Sequence, residues 1–166
     1  IHFVGLKLGE HQFEYEIDNT FFDEFDYREF NKSDIQVNVN LNKKNTHLEF
    51  DFHIKGQVGV ECDLTLEHFD LPIENTLSIV VKFGDELKEV NEELVVIPHG
   101  QHDFQIEQYL YECVILALPQ KKVHPGVEDG TLDSEILDKL NHHSIDNNNT
   151  ENKDIDPRWE KLKKLL

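Results

Sequence analysis

Residues 48–66, LEFDFHIKGQVGVECDLTL, decide the fold of this chain. Every second position in this stretch is apolar or glycine, and the positions between them are polar or charged apart from Gly59. An alternation with a period of two predicts a β-strand that buries one face. The run is longer than a typical strand of roughly 5–6 residues, so we expect a bend near Gly56 or Gly59.

The same alternation occurs on both sides of this stretch and predicts further strands. Apolar and polar side chains alternate over residues 12–17 and 37–41, and residues 42–45 (NKKN) predict a turn before the long strand. The alternation returns over residues 77–83, and residues 94–97 form a short apolar strand that Pro98 ends. Together these segments predict hairpins and other antiparallel strand pairs.

Two shorter features lie near the start of the sequence. Residues 3–8 are an apolar run followed by a Gly-Glu pair, which predicts a first hairpin that turns at this pair. Asn19 or Thr20 is placed to cap a short helical turn over residues 21–25.

Later in the chain the apolar period becomes helical. It predicts a helix over residues 106–117, which Asp103 is placed to cap and Pro119 to end. Residues 131–140 predict a second short helix. We therefore expect residues 1–140 to form one α+β domain. Its mainly antiparallel sheet is open or partly closed, and one or two short helices cover it.

The last part of the sequence differs in composition. Residues 141–155 are acidic, rich in asparagine and without apolar period, which predicts a solvated linker. Residues 156–166, the basic segment, begin with Asp156 as a good N-cap and Pro157 as a good first helical residue. Helices shorter than roughly 12–15 residues are marginal in isolation, so we expect this basic amphipathic helix to form only when docked. Its apolar stripe is Trp159, Leu162 and Leu166, and its basic stripe is Arg158, Lys161 and Lys164.

Charge restricts the class of partner. The 166 residues include 34 acidic and 16 basic ones, which give a net charge of −18. Because residues from Pro157 onward carry +3, the preceding residues carry −21. A body this acidic repels phosphate, so we expect no DNA binding and favour a cationic partner. No apolar run approaches a membrane span and no signal segment opens the sequence, so we expect a cytoplasmic protein.

Sequence motifs of catalysis are lacking. No Gly-x-Ser-x-Gly elbow and no phosphate-binding glycine loop is present. Cys62 and Cys113 fall on apolar stripes, so we predict buried thiols. The acidic cluster over residues 85–93 lacks calcium-loop spacing and predicts an exposed loop. His99 and His102 are only two potential ligands, and we expect no catalytic residue, cofactor or metal site.

Three segments resemble the YceD family of large ribosomal RNA subunit accumulation proteins. Residues 56–66 are similar to its G-x-v-x-x-x-C-x-R-C-L strand. Residues 112–119, followed by His124, are similar to its E-x-i-x-L-x-l-P…h element, and residues 156–165 to its closing D-P-R-w-x-x-L-x-x-L. The Phe21-Phe22 pair after a strand fits as well.

The resemblance implies a bacterial cytoplasmic protein that supports 23S rRNA accumulation and large-subunit assembly, with no enzymatic activity. One motif departs from the family pattern. Where many relatives have Cys-x-x-Cys, this chain has Cys62 and Thr65, with Leu64 in place of the arginine. A single cysteine cannot supply a tetrahedral zinc site, so a metal or redox role does not transfer to this chain.

Two mechanisms follow from these features. In the first, the protein contacts rRNA or a ribosomal protein through Arg158, Trp159, Lys161 and Lys164, with Trp159 stacking on a base or filling a pocket. The basic segment could equally pack on the protein's own sheet. In the second, the acidic body escorts a basic ribosomal protein without direct RNA contact. The sequence leaves the partner, the strand order and the oligomeric state open.

Overall fold

The structure is a computed structural model that describes residues 1–91, 93–132, 136, 137 and 139. Over residues 1–132, apart from Glu92, it contains one six-stranded sheet and three short helices. In chain order the elements are β1 (Gly9–Ile17), α1 (Asn19–Asp23), β2 (Lys32–Lys43), β3 (His47–Glu61), β4 (His68–Gly84), β5 (Lys88–Asn91), β6 (Leu94–Pro98), α2 (Glu107–Leu116) and α3 (Pro125–Glu128).

The strand order across the sheet is β1-β2-β3-β4-β6-β5. Neighbouring strands are antiparallel, except that β6 runs parallel to β4. The predicted α+β class with a mainly antiparallel sheet is confirmed. The sheet is open, with β1 and β5 as its edges, so the partly closed alternative is wrong.

Strand β3 lies at the centre and supplies the middle of the core. Leu48, Phe50, Phe52 and Ile54 point to one side and are buried, as the alternation predicted. Helix α2 packs on this side against β4 and β3, and buries Leu110, Cys113 and Val114. A hydrogen bond from Asn75 Nδ2 on β4 to the Cys113 carbonyl oxygen, 2.9 Å long, also ties the helix to the sheet.

The long alternating stretch forms one continuous strand up to Glu61. Its pairing with β4 is regular through both Gly56 and Gly59. Glycine is required at position 56, because a β-carbon there would overlap the Asp34 carbonyl oxygen and lie 2.6 Å from Ile35 Cα. After Glu61 the chain turns, with Leu66 in the left-handed region at φ 61°.

The predicted first hairpin is wrong. Residues 3–8 form no strand, and β1 begins at Gly9, where the turn was expected. Instead the Lys43 ammonium group donates hydrogen bonds to the carbonyl oxygens of Phe3 (2.9 Å) and Leu6 (2.8 Å), which holds this segment in a turn. Phe3 is buried against the core rather than paired in a ladder.

Several predicted boundaries also move. Asp18, rather than Asn19 or Thr20, caps α1, because its carboxylate accepts from the Thr20 N–H at 3.0 Å. Asp103 does not cap α2, whose N-cap is Ile106. Instead its backbone forms an isolated antiparallel β-bridge with His2. The turn between β2 and β3 lies at residues 44–46, whereas the sequence predicted residues 42–45. The acidic cluster is not wholly a loop, because it contains β5.

Part of the predicted organisation lies outside the described residues. Ile136, Leu137 and Lys139 are helical, whereas Thr131 and Leu132 are not, and the other residues of the predicted 131–140 helix are not described. The linker at residues 141–155 and the helix at residues 156–166 lie outside the described residues altogether.

We expect Gly56→Ala to lower the free energy of unfolding by about 1–3 kcal/mol, because the added methyl group forces a backbone shift inside the central ladder. Urea denaturation measures the change. Gly5→Ala is the matched control, since no atom lies within 4 Å of a β-carbon at that position. Equal stability of the two variants would contradict the packing described here.

Candidate partner-binding surface

The four residues predicted to bind a partner, Arg158, Trp159, Lys161 and Lys164, lie outside the described residues. The structure therefore does not place them relative to the domain. What it does place is the side of the sheet opposite α2, which carries the polar positions of the alternating strands.

Strand register aligns these polar positions into rows across β1, β2, β3 and β4. None of the side chains in these rows is buried. We call this four-by-four array the outer face. Its rows are Glu10, Asn42, Glu49, Val80; Gln12, Asn40, Asp51, Ser78; Glu14, Asn38, His53, Thr76; and Glu16, Gln36, Lys55, Glu74.

The outer face is strongly acidic. Its sixteen side chains include six carboxylates and one lysine, a net charge of −5 with histidine neutral. The carboxylates on β3 and β4 have partners nearby. Asp51 accepts from the Ser78 hydroxyl at 2.6 Å, and Glu74 lies 3.2 Å from the Lys55 ammonium group. Asp51 and Glu74 thus have partners within the protein.

Glu49 is held most firmly as a charged group. Hydrogen bonds from Lys44 and from His47, the latter 3.1 Å long, lower the pKa of the Glu49 carboxyl. Asn42 Nδ2 donates to the second oxygen of the same carboxylate at 3.1 Å. This carboxylate is thus engaged within the protein.

The carboxylates of β1 are different. Glu10, Glu14 and Glu16, the β1 carboxylate row, are exposed and have no ion pair or side-chain hydrogen bond to any described residue. A strand rises roughly 3.4 Å per residue, so Glu14 and Glu16 lie about 7 Å apart on one face. They lie on an edge strand, whose second side is unpaired in the described sheet.

Amide side chains line the neighbouring strand. Gln36, Asn38, Asn40 and Asn42 of β2 stand directly opposite the β1 positions. Two shallow depressions of about 620 and 490 Å³ follow the junction of the two strands. Carboxylates accept hydrogen bonds and amides both donate and accept them. The junction can therefore hold a chain rich in lysine or arginine.

A second feature is the turn that follows β3. Cys62 is fully buried, and its sulfur accepts a hydrogen bond from the His124 N–H at 3.3 Å. Burial acts to raise the pKa of the Cys62 thiol, but the Thr65 hydroxyl and the N–H groups of His124, Leu64 and Thr65 outweigh it, so the pKa is lowered. Thr65 itself is buried. Cys62 is therefore a buried, hydrogen-bonded part of the turn, and Thr65 occupies the position of the second cysteine in the family motif.

The prediction that both cysteines are buried is confirmed. Burial in the core raises the pKa of the Cys113 thiol to about 11. In the part of the chain that the structure describes, no group of three or more His, Cys, Asp or Glu is arranged to hold a metal ion. Over the same residues, no helix is both long and apolar enough to cross a membrane.

Sequence reasoning missed the β1 carboxylate row as a site. The alternation of glutamates in residues 10–16 was visible, but the amides beside them are 20–32 residues further along the chain. The site could have been found by pairing the two alternating strands so that the polar residues of one stand opposite the polar residues of the other. That pairing becomes visible only with the register, in which Glu10 faces Asn42 and Glu16 faces Gln36.

A comparison with protein-family models gives a match over residues 50–166, to the model described as large ribosomal RNA subunit accumulation protein YceD. The matched range contains the Cys62 turn, α2 and the basic segment. It covers most of the chain and confirms the resemblance found in the sequence. Neither the curated proteins nor the solved structures gave a match.

We expect Thr65→Val to lower the free energy of unfolding by about 1 kcal/mol, because valine keeps the shape of threonine but removes the hydroxyl that faces the Cys62 sulfur. Urea denaturation measures this loss. Thr76→Val, at an exposed position of the outer face, is the control and should change stability by less than half as much. An unchanged Thr65→Val variant would show that the hydroxyl contributes nothing.

Proposed function

The chain belongs to the YceD family of large ribosomal RNA subunit accumulation proteins, and we propose that it acts in large-subunit assembly by holding a basic ribosomal protein on its outer face. In this proposal the protein is a non-enzymatic escort that works in the cytoplasm, where ribosomes are assembled. The observation that carries the proposal is the β1 carboxylate row beside the amides of β2.

Charge complementarity supports a ribosomal protein as partner. A protein that binds rRNA neutralises phosphates with lysine and arginine, so its RNA-binding segments are cationic. Residues 1–156 carry a charge of −21, and three carboxylates on β1 have no described partner within the protein. Opposite charges of this kind speed association and make it sensitive to salt.

The arrangement of the charges argues for binding rather than for solubility alone. Solubility requires only net charge, which any scattered set of acidic residues supplies. Here three carboxylates without a partner among the described residues line one edge strand, and amide donors and acceptors line the next. An extended basic segment laid along this junction meets a carboxylate at nearly every second residue of β1.

Direct contact with rRNA through the basic segment is the competing mechanism. The outer face itself repels a phosphate backbone, so RNA binding requires Arg158, Trp159, Lys161 and Lys164. The two mechanisms differ in which residues they need, and substitution on β1 distinguishes them.

We expect the triple variant Glu10→Gln, Glu14→Gln, Glu16→Gln to bind its basic large-subunit ribosomal protein about tenfold more weakly. Exposed ion pairs contribute roughly 0.2–1 kcal/mol each, and three of them reach the 1.4 kcal/mol of a tenfold change. The measurement is calorimetric titration of the full chain with purified large-subunit ribosomal proteins at two salt concentrations.

The control is Asp23→Asn, Glu24→Gln, Asp129→Asn, which makes the same change of net charge at exposed positions away from the outer face. This control should bind as the unsubstituted chain does. Equal weakening in both triple variants would show that binding depends on net charge and not on the β1 carboxylate row. Binding of 23S rRNA fragments, with no ribosomal protein bound, would instead favour the basic segment and overturn the proposal.

A further inference from the structure

A groove lies on the other side of the sheet, between α2 and the strands at the β5 edge. Its volume is about 740 Å³. The floor is apolar and includes Leu77 of β4, Val95 of β6 and Cys113 of α2. Of the residues that line the groove, only Thr76 also belongs to the outer face.

Apolar side chains around the groove are left uncovered by the described residues. Leu116 of α2 is 79% exposed and Val90 of β5 is 51% exposed, and both line the groove. Exposed apolar side chains that open into a groove are typical of a binding site. The occupant must therefore present an apolar surface of its own.

The rim of the groove is acidic and polar. Glu89 on β5 and Glu112 on α2 line it, and both are exposed. The Tyr109 hydroxyl donates a hydrogen bond to Glu89 at 3.2 Å and so joins α2 to β5. Asn75 and Asn91 add amide groups. Such a rim favours an occupant with cationic side chains beside its apolar stripe.

The sequence contains one segment with this combination of properties. Residues 157–166, PRWEKLKKLL, place Trp159, Leu162 and Leu166 at helical positions i, i+3 and i+7. They carry a charge of +3 within a chain of net charge −18. As a helix the segment would be about 15 Å long, which equals the length of the ten-residue α2 that forms one wall of the groove.

The segment can reach the groove of its own molecule. Residues 140–156 separate it from Lys139 and span up to about 55 Å when extended. A domain of about 140 residues has a radius of gyration of roughly 14 Å, so this reach exceeds the distance across the domain. The family match also runs through residue 166, so the segment is part of the family pattern.

We propose that residues 157–166 dock as a helix in the groove between α2 and β5 of the same molecule. Trp159, Leu162 and Leu166 face the apolar floor, and the basic side chains lie at the acidic rim. Docking supplies the tertiary contacts that a ten-residue helix needs. This proposal concerns a different surface from the proposed function and does not depend on it.

Trp159 is the only tryptophan of the chain, so its fluorescence reports docking directly. In the full chain we expect blue-shifted Trp159 emission and weak quenching by acrylamide. Leu116→Glu places a charge against the apolar stripe and should lower the ratio of docked to free segment by about tenfold. Its emission then shifts to the red and acrylamide quenches it strongly.

Leu8→Glu is the matched control, because Leu8 is 58% exposed and does not line the groove. It should leave the emission unchanged. Circular dichroism and urea denaturation verify that both variants fold. Glu112→Lys is a second groove variant that changes only the rim, and it should weaken docking through repulsion of the basic side chains.

Four outcomes would overturn the proposal. Trp159 could be as accessible to acrylamide as free tryptophan in the unsubstituted chain. It could be protected equally in the Leu116→Glu and Leu8→Glu variants, which would show that a surface other than the groove protects it. Its protection could fall on dilution, which assigns it to the groove of a second copy. It could become protected only when rRNA or a ribosomal protein is added, which makes that partner its cover.

Discussion

The pairing of β3 with both of its neighbours is the constraint on which the other features depend. Strand β3 (His47–Glu61) pairs along its whole length with β4 and over most of it with β2. Side chains on a strand alternate between faces, so a slip by one residue would exchange the two sets. The slip would move Phe50 and Phe52 to the solvent and Glu49 and Asp51 into the core. The core and the outer face are thus fixed by one register.

The width of the sheet explains why accessible surface is left on the helix side. Six strands spaced about 4.8 Å apart extend roughly 24 Å from the first to the last, whereas α2 is about 15 Å long and packs on β4 and β3. The helix therefore covers the centre but does not reach either edge, although other segments bury Ile17 of β1. Tyr15 at the β1 edge is 39% exposed, and Val90 lies open at the β5 edge. The groove is a consequence of this mismatch.

Alternation in the sequence predicted β3 and parts of β1, β2 and β4, because each buries one face, and a continuous apolar run predicted β6. Residues 68–76, the first half of β4, were not predicted as a strand. Alternation could not predict β5, whose four residues are all exposed, so burial leaves no period in them. The parallel pairing of β6 with β4 was also missed, since alternation does not encode strand direction. Residues 3–8 looked like a strand because they are apolar, but Lys43, a residue remote in sequence, holds them in a turn.

The β1 carboxylate row also bears on how an open edge strand avoids pairing with a second copy of the chain. Edge strands expose unpaired N–H and C=O groups, and charged side chains are a common protection against such pairing. If two copies paired through β1, Glu10, Glu14 and Glu16 of each would lie beside those of the other, and like charges across strands are destabilising. A basic strand meets the opposite sign at the same positions. Under the proposed function, the same three residues disfavour self-association through β1 and favour a cationic partner.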